Sequence, residues 1–312
     1  MRYYGTVGGA PAVIVLAGHG DADGVRSLLA ALRDGAPAAS RVDVVALDRA
    51  CAEQLDGYHD VDGGVHGAYG VAADDEPVVI ALDPSVRVTA VERATDVDSL
   101  VGRIAVAIAE YAHDPSERTV VAQAPVLFVP NALSAELADQ AIAAWRSAGA
   151  AATGVEATVG GGRGEVHDEQ RKRRRDHTVV DEELLRTLTS HIGRRVMPEL
   201  HRAFAYRATR FEGFKIGSYE QADHGFFEPH RDNLSAATAH RRFALSLNLN
   251  DDYDGGELRF PEYGADRYRP AAGEALLFSG ALLHEVLPVT RGRRFVLLSF
   301  LYGDEVRRPP GN

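Results

Sequence analysis

Two histidines and one carboxylate near the C-terminus have the types and spacing that metal chemistry requires. His230 and Asp232 stand two apart in Phe226-Phe-Glu-Pro-His-Arg-Asp-Asn233, and His284 follows in Leu283-His-Glu-Val-Leu-Pro-Val289. Residues i and i+2 of an extended chain face the same side, so His230 and Asp232 can point into one cavity. Two imidazoles and a carboxylate on one face of a metal leave other coordination positions open, which suits non-haem Fe(II) and oxygen chemistry. Arg294 lies ten residues on (294 − 284) and opens the apolar run Arg294-Phe-Val-Leu-Leu-Ser-Phe300. A guanidinium there can answer the far carboxylate of a dianionic cosubstrate with a two-pronged contact. With 12 histidines and 45 acidic residues in the chain, a single His-x-Asp pair carries little weight, and only the ordered set is informative. His224, between Asp223 and Gly225, reads as a loop residue, and His19, His59, His66 and His113 have no ligand-like partners.

The elements that must position this set read as β structure. Phe243, Leu245, Leu247 and Leu249 alternate, the period-two pattern of a strand with one buried face. Residues 251–256 read as a turn, 257–260 as the next strand, and 274–278 and 295–301 complete a closely spaced series. Such a series predicts a double-sheet jelly roll. Upstream, Ser134 is the expected N-cap of a helix carrying Leu137, Ala141, Ile142 and Trp145. Asp181 caps a second helix, with Leu184, Leu188, Ile192 and Val196 recurring every fourth residue, and Pro198 ends or kinks it. Between these helices, residues 154–177 are rich in glycine, with Gly160-Gly-Gly162, and then in arginine. They read either as a solvated loop or as a mobile lid whose basic residues, Arg171, Arg173 and Arg175 among them, touch substrate.

The first 115 residues differ. Residues 12–17 and 42–47 are short apolar runs typical of buried strands, and Val25, Leu28, Leu29 and Leu32 have helical spacing between them. Residues 77–82 and 86–91 read as a strand pair across the turn Asp83-Pro84-Ser85, followed by a helix over 97–111. The order is β-α-β, a less regular stretch, then β-β-α. Residues 112–122 form the expected linker, which gives domains at 1–115 and 123–312.

Composition sets outer bounds. The 312 residues carry a net charge of −11, which opposes general nucleic-acid affinity despite the local run Arg171-Lys-Arg-Arg-Arg175. No apolar run approaches the ~18 residues that span a bilayer. No basic-then-apolar N-terminal segment reads as a signal peptide, and the single cysteine, Cys51, forms no internal disulfide. A cytoplasmic protein without nucleic-acid or membrane partners is the expectation.

Two resemblances sharpen this reading. The N-terminal order resembles the thioredoxin fold, and Gly64-Val-His-Gly-Ala-Tyr-Gly-Val71 followed by Glu76-Pro-Val-Val-Ile-Ala-Leu-Asp-Pro84 looks like a diverged peroxiredoxin-type member. That resemblance implies a cis proline at Pro77. It does not carry over the activity, because the stretch after the first strand, Gly18-His-Gly-Asp-Ala-Asp23, holds no thiol. Cys51 follows the second strand and reads as an inert buried side chain, which argues against a thiol peroxidase. The expected role is docking, dimerisation or substrate presentation.

Residues 125–302 resemble the iron- and 2-oxoglutarate-dependent dioxygenases, in particular the prolyl 4-hydroxylase-like branch. The matching text is Tyr219-Glu-Gln-Ala-Asp-His-Gly-Phe-Phe-Glu-Pro-His-Arg-Asp-Asn233, Gly255-Gly-Glu-Leu-Arg-Phe-Pro261, Gly273-Glu-Ala-Leu-Leu-Phe278 and His284-Glu-Val-Leu-Pro-Val-Thr-Arg-Gly-Arg-Arg294. The resemblance implies a double-stranded β-helix, with His230, Asp232 and His284 as iron ligands and Arg294 as anchor for the C5 carboxylate of 2-oxoglutarate. It makes Tyr219 a lining residue of the cosubstrate pocket and leaves Asn248 and Ser299 as alternatives for a second contact to that carboxylate. It also implies O2 as oxidant, ascorbate as accessory reductant, and hydroxylation of an unactivated C–H bond. The substrate would be a prolyl residue in a protein or peptide, or an amino-acid-like small molecule. Retention of Asp232 argues for hydroxylation over halogenation. The competing reading is a metal-binding cupin-type isomerase or sensor, in which Arg294 is incidental.

Overall fold

The computed structural model describes residues 8–19, 22–35, 41–109, 119–149, 151–152, 155–159, 162–166 and 168–305. The chain divides into two compact units, residues 1–118 and 119–312. Most of the expected linker (residues 112–118) lies outside the described residues.

In the first unit β1 (Ala12–Ala17), α1 (Ala22–Gly35), β2 (Arg41–Ala46), α2 (Arg49–Gln54), β3 (Tyr58–His59), α3 (Gly64–Ala68), β4 (Val78–Leu82), β5 (Val88–Arg93) and α4 (Val97–Ala109) follow one another. The sheet order is β3-β2-β1-β4-β5. β1 and β2 run parallel, as the α1 crossover requires. β4 runs antiparallel to β1 and β5 to β4. β1 and β4 are apolar throughout because both faces of the sheet are covered. Val25, Leu28, Leu29 and Leu32 of α1 and Leu100, Ile104 and Ile108 of α4 pack on one face with Val13, Val15 and Val79. Each fully buried Leu or Ile there contributes roughly 1.5–3 kcal/mol. Cys51 is buried in α2 within this core. His66 has a partner after all: it is buried, 2.8 Å from Asp60 through Nδ1 and 3.0 Å from the Ala17 carbonyl through Nε2.

Pro77 stands just before β4, as expected, but no cis peptide bond occurs among the described residues. The trans form is the lower-energy isomer by about 0.5–1 kcal/mol, and nothing here selects against it. The Pro77 carbonyl accepts from the Ala94 N–H and so extends the β4–β5 ladder.

The second unit begins with β6 (Val126–Val129), α5 (Ala135–Ala148), β7 (Ala151–Ala152), β8 (Val155–Val159), β9 (Gly162–Val166), β10 (Arg175–Thr178), α6 (Glu182–Arg195) and α7 (Met197–Phe204). Ser134 caps α5 and Asp181 caps α6, each through a side-chain oxygen accepting a backbone N–H three residues on. Pro198 falls in the first turn of α7, where its missing N–H costs nothing, so α6 stops at Arg195. The stretch expected as a loop over 154–177 instead contains the antiparallel pair β8–β9 and then β10. Val155, Ala157 and Val159 alternate with polar residues, so strand propensity prevails over the glycines that follow. Gly154, Gly160 and Gly161 lie outside the described residues.

The remainder is β11 (Arg210–Phe211), β12 (Lys215–Glu220), β13 (Phe227–His230), β14 (Phe243–Asn248), β15 (Asp254–Gly255), β16 (Leu258–Arg259), β17 (Arg267–Tyr268), β18 (Ala275–Ser279), β19 (His284–Val286), β20 (Val289–Arg291) and β21 (Arg293–Tyr302). A large sheet runs β6-β18-β14-β21-β12-β10-β7, and a smaller one runs β13-β19-β16-β17. The large sheet is two-faced. Leu245, Leu247, Leu277, Leu297 and Leu301 pack on Leu137, Trp145, Leu188 and Ile192 of α5 and α6. Ala244, Leu276, Phe278 and Val296 face the small sheet with Leu258, Val286 and Tyr219. Two facing sheets with helices on the outer side make a double-stranded β-helix, and the site opens between them. Among the described residues no helix is long and apolar enough to cross a membrane.

Candidate functional site

Two adjacent antiparallel strands bring the histidines together. His230 at the end of β13 is the cross-strand partner of His284 at the start of β19, and their ring centroids lie 4.3 Å apart. Asp232 follows β13 by two residues, and its N–H donates to the Gly280 carbonyl at 2.9 Å, which fixes the turn that aims its carboxylate back. His230 Nε2 is 3.6 Å from Asp232 Oδ1, and His284 Nε2 is 3.5 Å from Asp232 Oδ2. One ligand atom of each residue falls within 4.8 Å of the others.

The residues fit a divalent metal. Each histidine places Nδ1 against a backbone carbonyl, Glu228 O at 2.8 Å for His230 and Leu282 O at 2.9 Å for His284. Nδ1 therefore carries the proton and Nε2 keeps its lone pair for the ion. Asp232 Oδ2 is buried with no hydrogen-bond donor, a costly state that a cation relieves. Burial raises the Asp232 carboxyl above its ordinary range, with His284 and Arg241 pulling the other way. Burial pushes the His230 imidazole well below its usual value, helped by the charges of His284, Arg174 and Lys172. A neutral His230 is the form that binds metal.

The triad lines a cavity of about 490 Å³, within the usual size of a small-molecule site. Phe278, Leu258, Val286 and Val296 supply apolar wall, and Phe227 stacks on His230 at 3.6 Å. Arg294 lines the same cavity and is 1% exposed. Its Nε and Nη2 donate to Asn248 Oδ1 at 3.0 and 2.9 Å, and Nη2 also reaches Ser246 Oγ at 3.3 Å. Both partners are neutral, so the guanidinium keeps its charge for a ligand.

The expected second-contact residues divide. Asn248 does not line the cavity. Its oxygen holds Arg294, and its amide N–H groups donate to Tyr253 Oη and the Pro270 carbonyl. Ser299 lines the cavity, but its hydroxyl donates to the Glu212 carbonyl. Tyr219 lines the cavity and accepts from Arg174 Nη1 at 3.2 Å. Among the basic residues, Arg171 reaches the cavity wall, whereas Arg173 and Arg175 do not. Arg173 turns to the Glu169 and Asp223 carbonyls and Arg175 to the Asp223 carboxylate. Lys172 and Arg174 line the cavity as well, and both pair with Asp176. Period-two alternation into β10 separates 172, 174 and 176 from 173 and 175, a signal legible once that stretch is taken as strand.

A candidate metal triad and a buried cation thus line one cavity between the two sheets of a β-helix. In comparison with known proteins, residues 214–302 match the model of the 2OG-Fe(II) oxygenase superfamily, and this segment holds the whole triad, Tyr219 and Arg294. That segment is therefore similar to a 2OG-Fe(II) oxygenase domain, a family whose name carries Fe(II) and 2-oxoglutarate. A PKHD-type hydroxylase of Polaromonas sp. is 48% identical over 67 residues, 20% of this chain and 30% of that protein. A PKHD-type hydroxylase of Xanthomonas campestris pv. campestris is 34% identical over 122 residues, 37% of this chain and 50% of that protein. A Pseudomonas putida prolyl-4-hydroxylase structure aligns with 58% of this chain and 94% of its own at 19% identity, with a TM-score of 0.45. The chain spans half or less of the length of these curated relatives.

Proposed function

We propose that the second unit is an Fe(II)- and 2-oxoglutarate-dependent dioxygenase that hydroxylates an unactivated C–H bond. Its substrate is a prolyl residue of a protein or peptide, or an amino-acid-like small molecule. The observation that carries this reading is the convergence of His230, Asp232 and His284 in one cavity with a buried Arg294 whose partners are neutral. His230, Asp232 and His284 would hold the iron, which when bound supplies the redox chemistry that the side chains lack. Carbonyls of Glu228 and Leu282 keep both imidazoles in the metal-binding tautomer. Arg294 would take the C5 carboxylate through the guanidinium edge that Asn248 leaves free, with Tyr219 and Ser299 beside it. Phe278, Val296 and Leu298 keep water from the cosubstrate. The cupin-type isomerase or sensor reading leaves a buried cation with no anion to meet.

The test is succinate formation from 2-oxoglutarate with Fe(II) and O2, with ascorbate as accessory reductant, alongside a search for a product heavier by one oxygen atom. No 2-oxoglutarate binding and no turnover with any candidate substrate would defeat the proposal. Arg294→Ala is expected to raise the 2-oxoglutarate requirement and to leave metal binding intact.

The first unit is proposed as a thioredoxin-like module without thiol chemistry. The parallel β1–β2 pair, the antiparallel β4–β5 pair and the closing α4 support that reading. Gly18 and His19 follow β1 where a reactive thiol would be needed, and Cys51 is buried. A Cys51→Ser protein should consume peroxide no differently from the parent.

A further inference from the structure

We propose that Glu262 is a positioning residue for the metal triad. Together with Arg231 it clamps the two ligand-bearing segments to one another and sets the peptide group that orients His284. The inference rests on the proposed role of the triad and adds two residues that hold its ligands in place.

The strands create the need for a clamp. His230 and His284 form the last pair of the β13–β19 ladder, and the register is irregular between Phe227 and His230. A ladder end opens readily unless other contacts hold it. The link from β18 to β19, residues 280–283, supplies such contacts one after another. The Gly280 carbonyl accepts from the Asp232 N–H at 2.9 Å. The Ala281 carbonyl accepts from Arg231 Nη1. The Leu282 carbonyl accepts from His284 Nδ1 at 2.9 Å. The Leu283 N–H donates to Glu262 Oε2 at 3.0 Å.

Glu262 joins the last of these contacts to the first. Its Oε1 accepts from Arg231 Nη2 at 2.7 Å and its Oε2 from Arg231 Nη1 at 3.1 Å. A two-pronged carboxylate–guanidinium pair fixes direction as well as distance. One carboxylate thus grips the residue between His230 and Asp232 and the residue before His284. The Leu282 carbonyl and the Leu283 N–H belong to one planar peptide group, so Glu262 sets the plane of the acceptor that His284 Nδ1 meets. A charged acceptor on the N–H side also polarises that carbonyl. The effect on the imidazole is the one a carboxylate exerts directly in carboxylate–histidine–metal arrangements. Glu262 is itself placed by a turn in which the Tyr263 N–H donates to the carbonyl of buried Phe260 at 2.9 Å.

Folding gains little from this pair. Arg231 is 31% exposed and Glu262 39%, and ion pairs so open to water contribute weakly to stability. The competing explanation is a plain charge effect on the metal, and the two differ in sign at Arg231. Removing a cation that lines the cavity should tighten binding of a divalent ion if only charge acts. It should loosen binding if Arg231 keeps the ligands in position.

The test is Co(II) titration of the full chain, followed by the visible absorption of the bound ion, with urea unfolding of each metal-free variant to confirm its fold. Glu262→Ala and Arg231→Ala should each weaken Co(II) binding about tenfold. The double variant should lose no more than about twofold beyond either alone, because both substitutions break the same clamp. Asp254→Ala, which breaks an exposed pair with Arg291, should bind Co(II) like the parent. The inference is overturned if Arg231→Ala binds Co(II) as tightly as the parent or more tightly. It is also overturned if the two losses add in the double variant, or if Asp254→Ala weakens binding as much as Glu262→Ala. Should an alanine variant fail to fold, Glu262→Gln decides, since it keeps the shape and one acceptor. Binding about threefold weaker is then expected, and parent-like binding overturns the inference. A parent protein that binds no Co(II) defeats the metal-site reading and this inference with it. Tight parental binding that Glu262→Ala leaves unchanged defeats this inference alone.

Discussion

Asn248→Asp separates two properties of the proposed cosubstrate anchor, its position and its charge. In the parent protein Asn248 Oδ1 accepts from both Nε and Nη2 of Arg294 without neutralising it. An aspartate keeps that acceptor and adds a full negative charge. The new carboxylate and the proposed C5 carboxylate would lie on opposite edges of one guanidinium, ~7 Å apart. At an effective dielectric of about 20 their repulsion is roughly 332/(20 × 7), or ~2.4 kcal/mol. That converts to about a 50-fold rise in the 2-oxoglutarate Kd. Metal affinity should stay within a factor of about three, because Asn248 touches no residue of the triad. The substitution also turns an oxygen toward the Pro270 carbonyl, where the amide now donates, so a stability loss of about 1–3 kcal/mol is expected as well. The assay is 2-oxoglutarate titration into Mn(II)-loaded protein, with urea unfolding run in parallel. A folded Asn248→Asp protein that binds 2-oxoglutarate like the parent would refute the claim that Arg294 works because its partners are neutral.

Three further outcomes follow from the site. Asp232→Ala should abolish tight metal binding and turnover, yet leave the metal-free protein as stable as the parent or more so, since it removes a buried oxygen with no donor; urea unfolding with and without Mn(II) measures both. The metal-free protein should lose stability as pH falls below about 6.5, because His230, held well below that value in the fold, is protonated first in the unfolded chain. A unfolding midpoint unchanged between pH 7.5 and 5.5, or an equal slope in His230→Gln, would contradict this. Gly280→Ala should weaken metal binding by about tenfold, since its Cβ would lie 3.0 Å from the Arg241 carbonyl and so shift the Gly280 carbonyl that holds the Asp232 N–H; metal titration at constant fold content checks it.

The legible parts of this molecule share one property: their signal is local. Alternation exposes β14, capping residues mark α5 and α6, and the His230–Asp232 spacing marks the pair, although a turn after β13 and not a shared strand face aims Asp232. Partners far apart in the chain are harder to read. Asn248 lies on the expected strand, but its hydrogen bonds to Arg294, Tyr253 and Pro270 decide that it supports the anchor from behind. Read as a solvated loop or as a mobile lid over the site, the basic run 171–175 has no parity. Treated as an extended segment, its part from 172 onward divides into Lys172 and Arg174 facing the cavity and Arg173 and Arg175 turned to Asp223 and its neighbours, while Arg171 before it also reaches the cavity wall. The β8–β9 pair was hidden by its glycines, because composition alone does not tell a hairpin from a loop.

β21 is ten residues long and hydrogen-bonded along both edges, to β12 on one side and β14 on the other. Arg294 sits near its start, inside this doubly paired ladder. Slipping the strand by one residue would turn the guanidinium to the helix side and bring Leu297 to the cavity. The position of the cationic side chain is therefore set by sheet register and is not adjustable by loop length. Accommodating a longer or shorter dicarboxylate would demand exchange of the side chain itself, so cosubstrate choice in this scaffold should shift in discrete jumps and resist gradual drift.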